Sequence, residues 1–170
     1  GALLSIPAGE SNTPRLAIES AVDDNDFTIT QYEDGNGTYT MLGQNVKLNS
    51  GGNNTILDSG HKTAGILLDA RNHGAITFLT GGTNAVGEPV KIASSGYIGI
   101  GETNPQTAIH TKFNNDRGAI RMENTYDTPD NVWELQPGIG GVSNTGFCIR
   151  DITDSANRFV IDGSGNVGIG

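Results

Sequence analysis

The residues of this chain that could do chemistry are, first, its carboxylates. Asp23-Asp24-Asn25-Asp26 places several oxygens at the short spacing that a hard cation such as calcium requires. The order D-x-[DN]-x-[DN]-G is not met and no glutamate closes the loop at its twelfth position, so a solvated turn is the favoured reading. The three histidines, His61, His73 and His110, never stand three or four residues apart. A metal site would need several chains to bring copies of one histidine together, and His110 is expected to be structural. Cys148 is the single cysteine, which rules out an internal disulfide and reads as a small buried hydrophobe. No G-x-S-x-G, H-E-x-x-H or P-loop occurs, and Gly138-Ile139-Gly140-Gly141 lacks the strand–helix context of a dinucleotide fingerprint. Nineteen acidic residues leave room for the two facing carboxylates of a polysaccharide depolymerase, a minor alternative. We therefore predict no enzyme, no catalytic residue, no cofactor and no metal ligand.

The candidate recognition surface is Tyr126–Gly146, with the only tryptophan. An aromatic platform beside planar polar groups suits a sugar, which makes Tyr126, Asp130 and Trp133 candidate glycan contacts. The competing reading puts Trp133 in the core of a Trp-x-Leu strand. Net charge bounds the partners. At -9, with ten scattered Lys and Arg among 170 residues, the chain cannot neutralise a phosphate backbone, which excludes nucleic acid and disfavours an anionic membrane surface. No apolar run approaches the roughly 20 residues of a membrane-spanning helix.

The elements that must position these residues are short strands. Apolar side chains alternate with period two in Leu16-Ala17-Ile18, Phe27-Thr28-Ile29, Val46-Lys47-Leu48, Ile76-Thr77-Phe78, Val90-Lys91-Ile92, Ile98-Gly99-Ile100, Ile120-Arg121-Met122, Trp133-Glu134-Leu135 and Val167-Gly168-Ile169. Each run is bounded by Gly, Asn, Asp or Ser, and no window has helical periodicity. Asp34-Gly35-Asn36-Gly37 predicts a hairpin. The chain reads as all-β.

It also repeats itself. EPVKIASSGYIGIG, residues 88–101, aligns without a gap with NRFVIDGSGNVGIG, residues 157–170, and NVKLNSGGNNTI, residues 45–56, is a weaker copy. Repetition marks a building block rather than a reaction centre. Gly99 and Gly168 alternate with Ile, which predicts a second backbone close to that face. The architectural residues are Gly96, Gly99, Ile100 and Gly101, with Gly165, Gly168, Ile169 and Gly170. Related openings at Leu16, Ile66 and Ile120 divide the chain into the end of a preceding module (1–14), module 1 (15–60), module 2 with a linker (61–115) and module 3 (116–170), expected to be cut off at its end. Sparse bulky apolar residues with strong patterning predict that other copies of the chain complete the burial.

Ile161-Asp162-Gly163-Ser164-Gly165-Asn166-Val167-Gly168-Ile169-Gly170 and the following-segment pattern of GIGETNPQTAIHT, residues 99–111, resemble the shaft modules of bacteriophage tail fibres and related virion appendages, which often precede a self-cleaving chaperone domain. The specific part covers the two phrases; residue 97 is Tyr where that signature has Asn, the first module lacks the GIG ending, and nothing matches the chaperone domain. The resemblance implies a homotrimeric fibre, as a triple β-helix, β-prism or stacked β-sandwich modules, located in the virion. Its partners would be two further copies, other tail or baseplate proteins, and a host glycan or protein receptor. The alternative reading is a carbohydrate-binding module of a fibre or bacterial adhesin.

Overall fold

A computed structural model describes residues 16–18, 26–71, 74–83, 85–114, 120–126, 128, 131–139 and 142–170. Asp23–Asn25, His73, Asp130, Gly140-Gly141 and the segment 1–14 lie outside the described residues. The described chain is all-β and contains no helix. It divides into two compact units, Gly1–Thr111 and Lys112–Gly170.

The first unit holds β1 (Leu16–Ile18), β2 (Phe27–Asp34), β3 (Gly37–Gln44), β4 (Val46–Leu48), β5 (Asn54–Ile56), β6 (Thr63–Asp69), β7 (Ala75–Gly81), β8 (Val86–Ile92), β9 (Ile98–Ile100) and β10 (Ile109–Thr111). Eight of these form one sheet in the order β1-β2-β3-β6-β7-β8-β9-β10, antiparallel except for the parallel pair β9/β10. The Asp34–Gly37 hairpin forms as expected: β2 pairs with β3 from Phe27/Gln44 to Asp34/Gly37, and the Asp34 carboxylate accepts the Asn36 N–H at 2.8 Å. Strands of the predicted modules 1 and 2 share this sheet, because β3 pairs with β6 from Tyr39/Asp69 to Gln44/Ala64.

The hairpin β4/β5 leaves the sheet after β3 and lies on it. Val46 and Leu48 are 0% and 1% exposed and pack with Tyr39, Met41 and Leu79 from the main sheet. Two buried threonines fix the hairpin to β2. Thr28 Oγ1 donates to the Val46 carbonyl at 2.9 Å, and Thr30 Oγ1 accepts the Leu48 N–H at 3.0 Å. The chain turns into β4 at Asn45, a non-glycine residue with φ +56°, a conformation that Asn tolerates better than most residues. Its buried carboxamide clamps the loop 58–62: Nδ2 donates to the carbonyls of Asp58 and His61 at 2.9 and 3.0 Å, and Oδ1 accepts the Asp58 N–H at 2.7 Å.

The second unit is a five-stranded antiparallel meander of β11 (Ile120–Asn124), β12 (Asn131–Ile139), β13 (Val142–Asp151), β14 (Ala156–Ile161) and β15 (Val167–Ile169), in sequence order. Arg158 ties the turn between β13 and β14, meeting Asp151 at 2.9 Å and also the Asp154 carboxylate. The Asp151 carboxyl is held below its ordinary range, first by the Asp154 N–H and then by Arg158.

Candidate functional site

Directly paired residues share a face of a sheet, so the register identifies what each face presents. In the first unit one row runs unbroken across the whole sheet: Leu16–Ile29–Leu42–Ile66–Phe78–Val90–Ile100–Thr111. Beside it runs Leu68–Ile76–Ile92–Ile98–Ile109. These rows lie opposite the hairpin β4/β5. Ile66, Leu68, Ile76 and Phe78, on the central strands, are each about two-fifths exposed (38–42%). Central strands of an antiparallel sheet usually bury their apolar side chains, and here they do not.

The second unit has the same property. Ile120–Leu135–Ile149–Phe159–Ile169 crosses all five strands, flanked by Met122–Trp133 on one side and Pro137–Phe147–Ile161–Val167 on the other. Ile120, Met122, Val167 and Ile169 stand more than half exposed. The opposite face buries polar groups instead. Glu134 and Gln136 are each 2% exposed and Cys148 is 0%. The Glu134 carboxylate accepts from Arg121 Nε at 2.7 Å and from the Gln136 carboxamide, whose oxygen in turn faces Cys148 Sγ at 3.5 Å. A buried carboxylate is tolerable because its lone pairs are met.

A polar corner sits at one end of the hairpin lid. Arg71 lies 3.9 Å above the Tyr39 ring and is gripped by Asp69 at 2.8 Å and Asp34 at 3.0 Å. These carboxylates, Asp69 first, push the guanidinium's affinity for its proton further up. The Tyr39 hydroxyl donates to the Gly52 carbonyl, and burial raises its pKa. The adjoining hollow of about 310 Å³ also carries Glu88 and Lys91. One guanidinium between two carboxylates leaves the corner net negative, and the Tyr39–Gly52 bond beside it ties the lid to the sheet.

The three copies of the repeated phrase fold as three copies of one hairpin. In each, five residues join two strands: 49–53 between β4 and β5, 93–97 between β8 and β9, and 162–166 between β14 and β15. The closing bonds correspond one to one. Asn49 N–H to Asn53 O, Ala93 N–H to Tyr97 O and Asp162 N–H to Asn166 O measure 2.9, 2.9 and 3.0 Å. The fourth turn residue has φ of +73° at Gly52, +78° at Gly96 and +87° at Gly165, which explains why glycine is shared there. In each copy a further N–H, of Leu57, Gly101 or Gly170, bonds the carbonyl of Asn45, Pro89 or Arg158.

What lies beside each copy differs. Gly99 is buried, and a Cβ there would lie 1.9 Å from the Glu102 carbonyl oxygen and 3.6 Å from Pro105 Cδ. The close backbone predicted at Gly99 is thus the chain's own: residues 102–105 fold back over the strand before β10 pairs with β9, Gly99 opposite His110. His110 helps fix this return, accepting the Gln106 N–H on Nδ1 at 3.4 Å. At Gly168 and Gly170 a Cβ would meet no atom of the described residues within 4 Å, and Ile169 is 86% exposed against a half-buried Ile100.

Of the candidate glycan contacts, Trp133 stands on the apolar face between Met122 and Leu135, while Tyr126 projects beyond β11 at 94% exposure; no ring contact joins them. His61 pairs with Asp58, Nδ1 to Oδ2 at 2.7 Å. Among the described residues no cluster of His, Cys, Asp and Glu could hold a metal ion. The sequence gives no direct signal for the Asn45 clamp or the buried Glu134–Gln136 pair; the one available hint was an Asn at the chain reversal before Val46. No protein-family model matches the chain, and no curated protein matches it.

Proposed function

We propose that this chain is a structural, non-enzymatic segment of a virion tail fibre, in which three copies pack their apolar sheet faces together and hold a receptor-binding tip towards the host. The observation that carries the reading is the unbroken apolar row on each sheet, seven strands wide in one unit, from Leu16 to Ile100, and five in the other. Scattered exposed aliphatics need no explanation, whereas a contiguous patch marks a surface made to be covered. Completing the burial of a half-exposed Ile, Leu or Phe contributes about 1 kcal/mol. Association itself costs about 4–15 kcal/mol, so cover has to extend along whole rows. The number three and the virion location rest on the resemblance of the repeated phrases to tail-fibre shafts. Trp133, between Met122 and Leu135, then serves as an anchor between copies.

The test is a pair of charges on the wider face, Ile66→Asp with Phe78→Asp. Ile66 and Phe78 are direct partners on β6 and β7, so the two carboxylates also repel within one chain, and the far-ultraviolet circular dichroism of the double variant has to match the parent's for the test to count. Chemical cross-linking should show trimers for the parent chain and single chains for the double variant, and electron microscopy should show rods only for the parent. A double variant that still cross-links as a trimer would overturn the role given to this face. A second reading, a carbohydrate-binding module, is favoured by the 94% exposure of Tyr126; glycan-array binding abolished by Tyr126→Ala would support it.

A further inference from the structure

The side chains lining the hollow beside the polar corner fall into two sets. Tyr39, Asp69 and Arg71 are spent on one another and on the lid. Asn53, Asn54, Thr77, Glu88 and Lys91 line it as well, and none of these side chains has a hydrogen-bond or ionic partner among the described residues. Thr77 is the most telling. It is 3% exposed and stands opposite Leu67 and Lys91, on the lid side of the sheet. Native interiors rarely leave such a hydroxyl unpaired without a use for it. The second observation is a β-bulge in β8. Phe78 pairs with Val90 but Thr80 with Gly87, so Glu88 and Pro89 together face Leu79. Residues three apart on a regular strand point to opposite faces. The extra residue lets Glu88 and Lys91 line the same hollow.

We propose that this hollow binds a saccharide, seating one pyranose ring either as a free sugar or as the end of a longer glycan. Its volume of about 310 Å³ lies at the lower end of small-ligand sites, roughly 300–1,000 Å³. A sugar hydroxyl both donates and accepts, and the free groups supply both partners. The Glu88 carboxylate accepts from neighbouring hydroxyls, the Lys91 ammonium and the Asn53 and Asn54 carboxamides donate to sugar oxygens, and the Thr77 hydroxyl does either. Leu67 and Ala75 give the C–H face of the ring a small apolar floor. Charge selects a neutral ligand. The net negative corner of Asp34, Arg71 and Asp69 disfavours an anion, and the Lys91 ammonium disfavours a metal cation. The site lies on the lid side of the first sheet, away from the apolar rows. It stays open when further copies cover those rows, and the inference stands whether or not the chain assembles.

The test is an NMR titration of the full chain with the methyl glycosides of glucose, galactose, mannose and N-acetylglucosamine and with the disaccharides maltose, lactose and diacetylchitobiose. At least one probe should shift the amides of Asn53, Asn54, Thr77 and Lys91 together, with a Kd of about 1 mM or tighter. Tighter binding of the disaccharide marks a glycan end and tighter binding of the single ring a free sugar; either supports the inference. Thr77→Val should weaken binding about tenfold and leave the urea midpoint unchanged or raised, because the hydroxyl has no partner in the chain to lose. Glu88→Gln, at an exposed position, should weaken it as well. Tyr126→Ala should leave these shifts as they are. Silence at the four amides with every probe would overturn the inference. So would full binding by Thr77→Val and Glu88→Gln, or a tighter response to inorganic phosphate or calcium than to any sugar.

Discussion

The second and third copies of the repeated phrase make a controlled comparison within one molecule. Their turns share the closing backbone bonds and a positive φ at the fourth residue, yet Gly99 is sealed under the Glu102 carbonyl while Gly168 faces open space among the described residues. The hairpin is therefore a local structure, set by its own turn glycine and closing bonds. Its environment is set by what comes next to it. The first copy makes the same point, since the same hairpin there detaches from the sheet and becomes its lid.

The largest expected difference between the two copies is at those glycines. Gly99→Val forces a buried Cβ against a backbone carbonyl and should destabilise the first unit by about 3 kcal/mol or more. Gly168→Val should change the stability of the second unit by less than about 0.5 kcal/mol. Urea unfolding of both variants, read at Tyr39-containing and Trp133-containing units separately, decides the matter; equal effects would break the comparison. A smaller effect is expected where the first copy meets the sheet. Thr30→Val keeps shape but strands the buried Leu48 N–H, and should cost about 1–2 kcal/mol. No change at all would show that the threonine stitches are not what hold the lid.

The smallest effect distinguishes the turns by pH. Asp162 occupies the position of Ala93. Its carboxylate accepts the N–H groups of Ser164 and Asn166 at 2.8 and 2.9 Å and the Asn166 carboxamide at 2.9 Å. The Asn166 side chain, then these backbone donors, hold its pKa below the ordinary 3.8. A depressed folded pKa means the stabilisation is present above that ordinary value and is lost as pH falls through the lower, folded one. Acid should thus loosen the turn 162–166 and leave 93–97 untouched. NMR shifts of the Asn166 side-chain amide should titrate with a midpoint below 3.8; a midpoint at or above it would contradict the assignment.

Much of the fold was legible because period-two alternation reports which side chains share a face, and the runs from Leu16-Ala17-Ile18 to Val167-Gly168-Ile169 all lie in strands. The weak copy at 45–56 was legible for the same reason as the strong ones, through a turn glycine at a fixed offset. Alternation does not report what covers a face. In Trp133-Glu134-Leu135 the strand was read correctly, but Glu134 is the buried member and the apolar pair faces outward. Burial of that carboxylate depends on Arg121, thirteen residues away, and on Gln136, which no local pattern reveals. The lid likewise depends on Thr28 and Thr30 meeting β4 eighteen residues later. The return of residues 102–105 over Gly99 was foreshadowed by the glycine itself.

The central claim is that the outward apolar rows of both sheets are covered by further copies of the same chain. Sedimentation equilibrium at micromolar concentration tests it most directly. The account predicts a single species of three times the 17.7 kDa chain mass; a folded, heat-resistant particle of 17.7 kDa with those rows in water would contradict it.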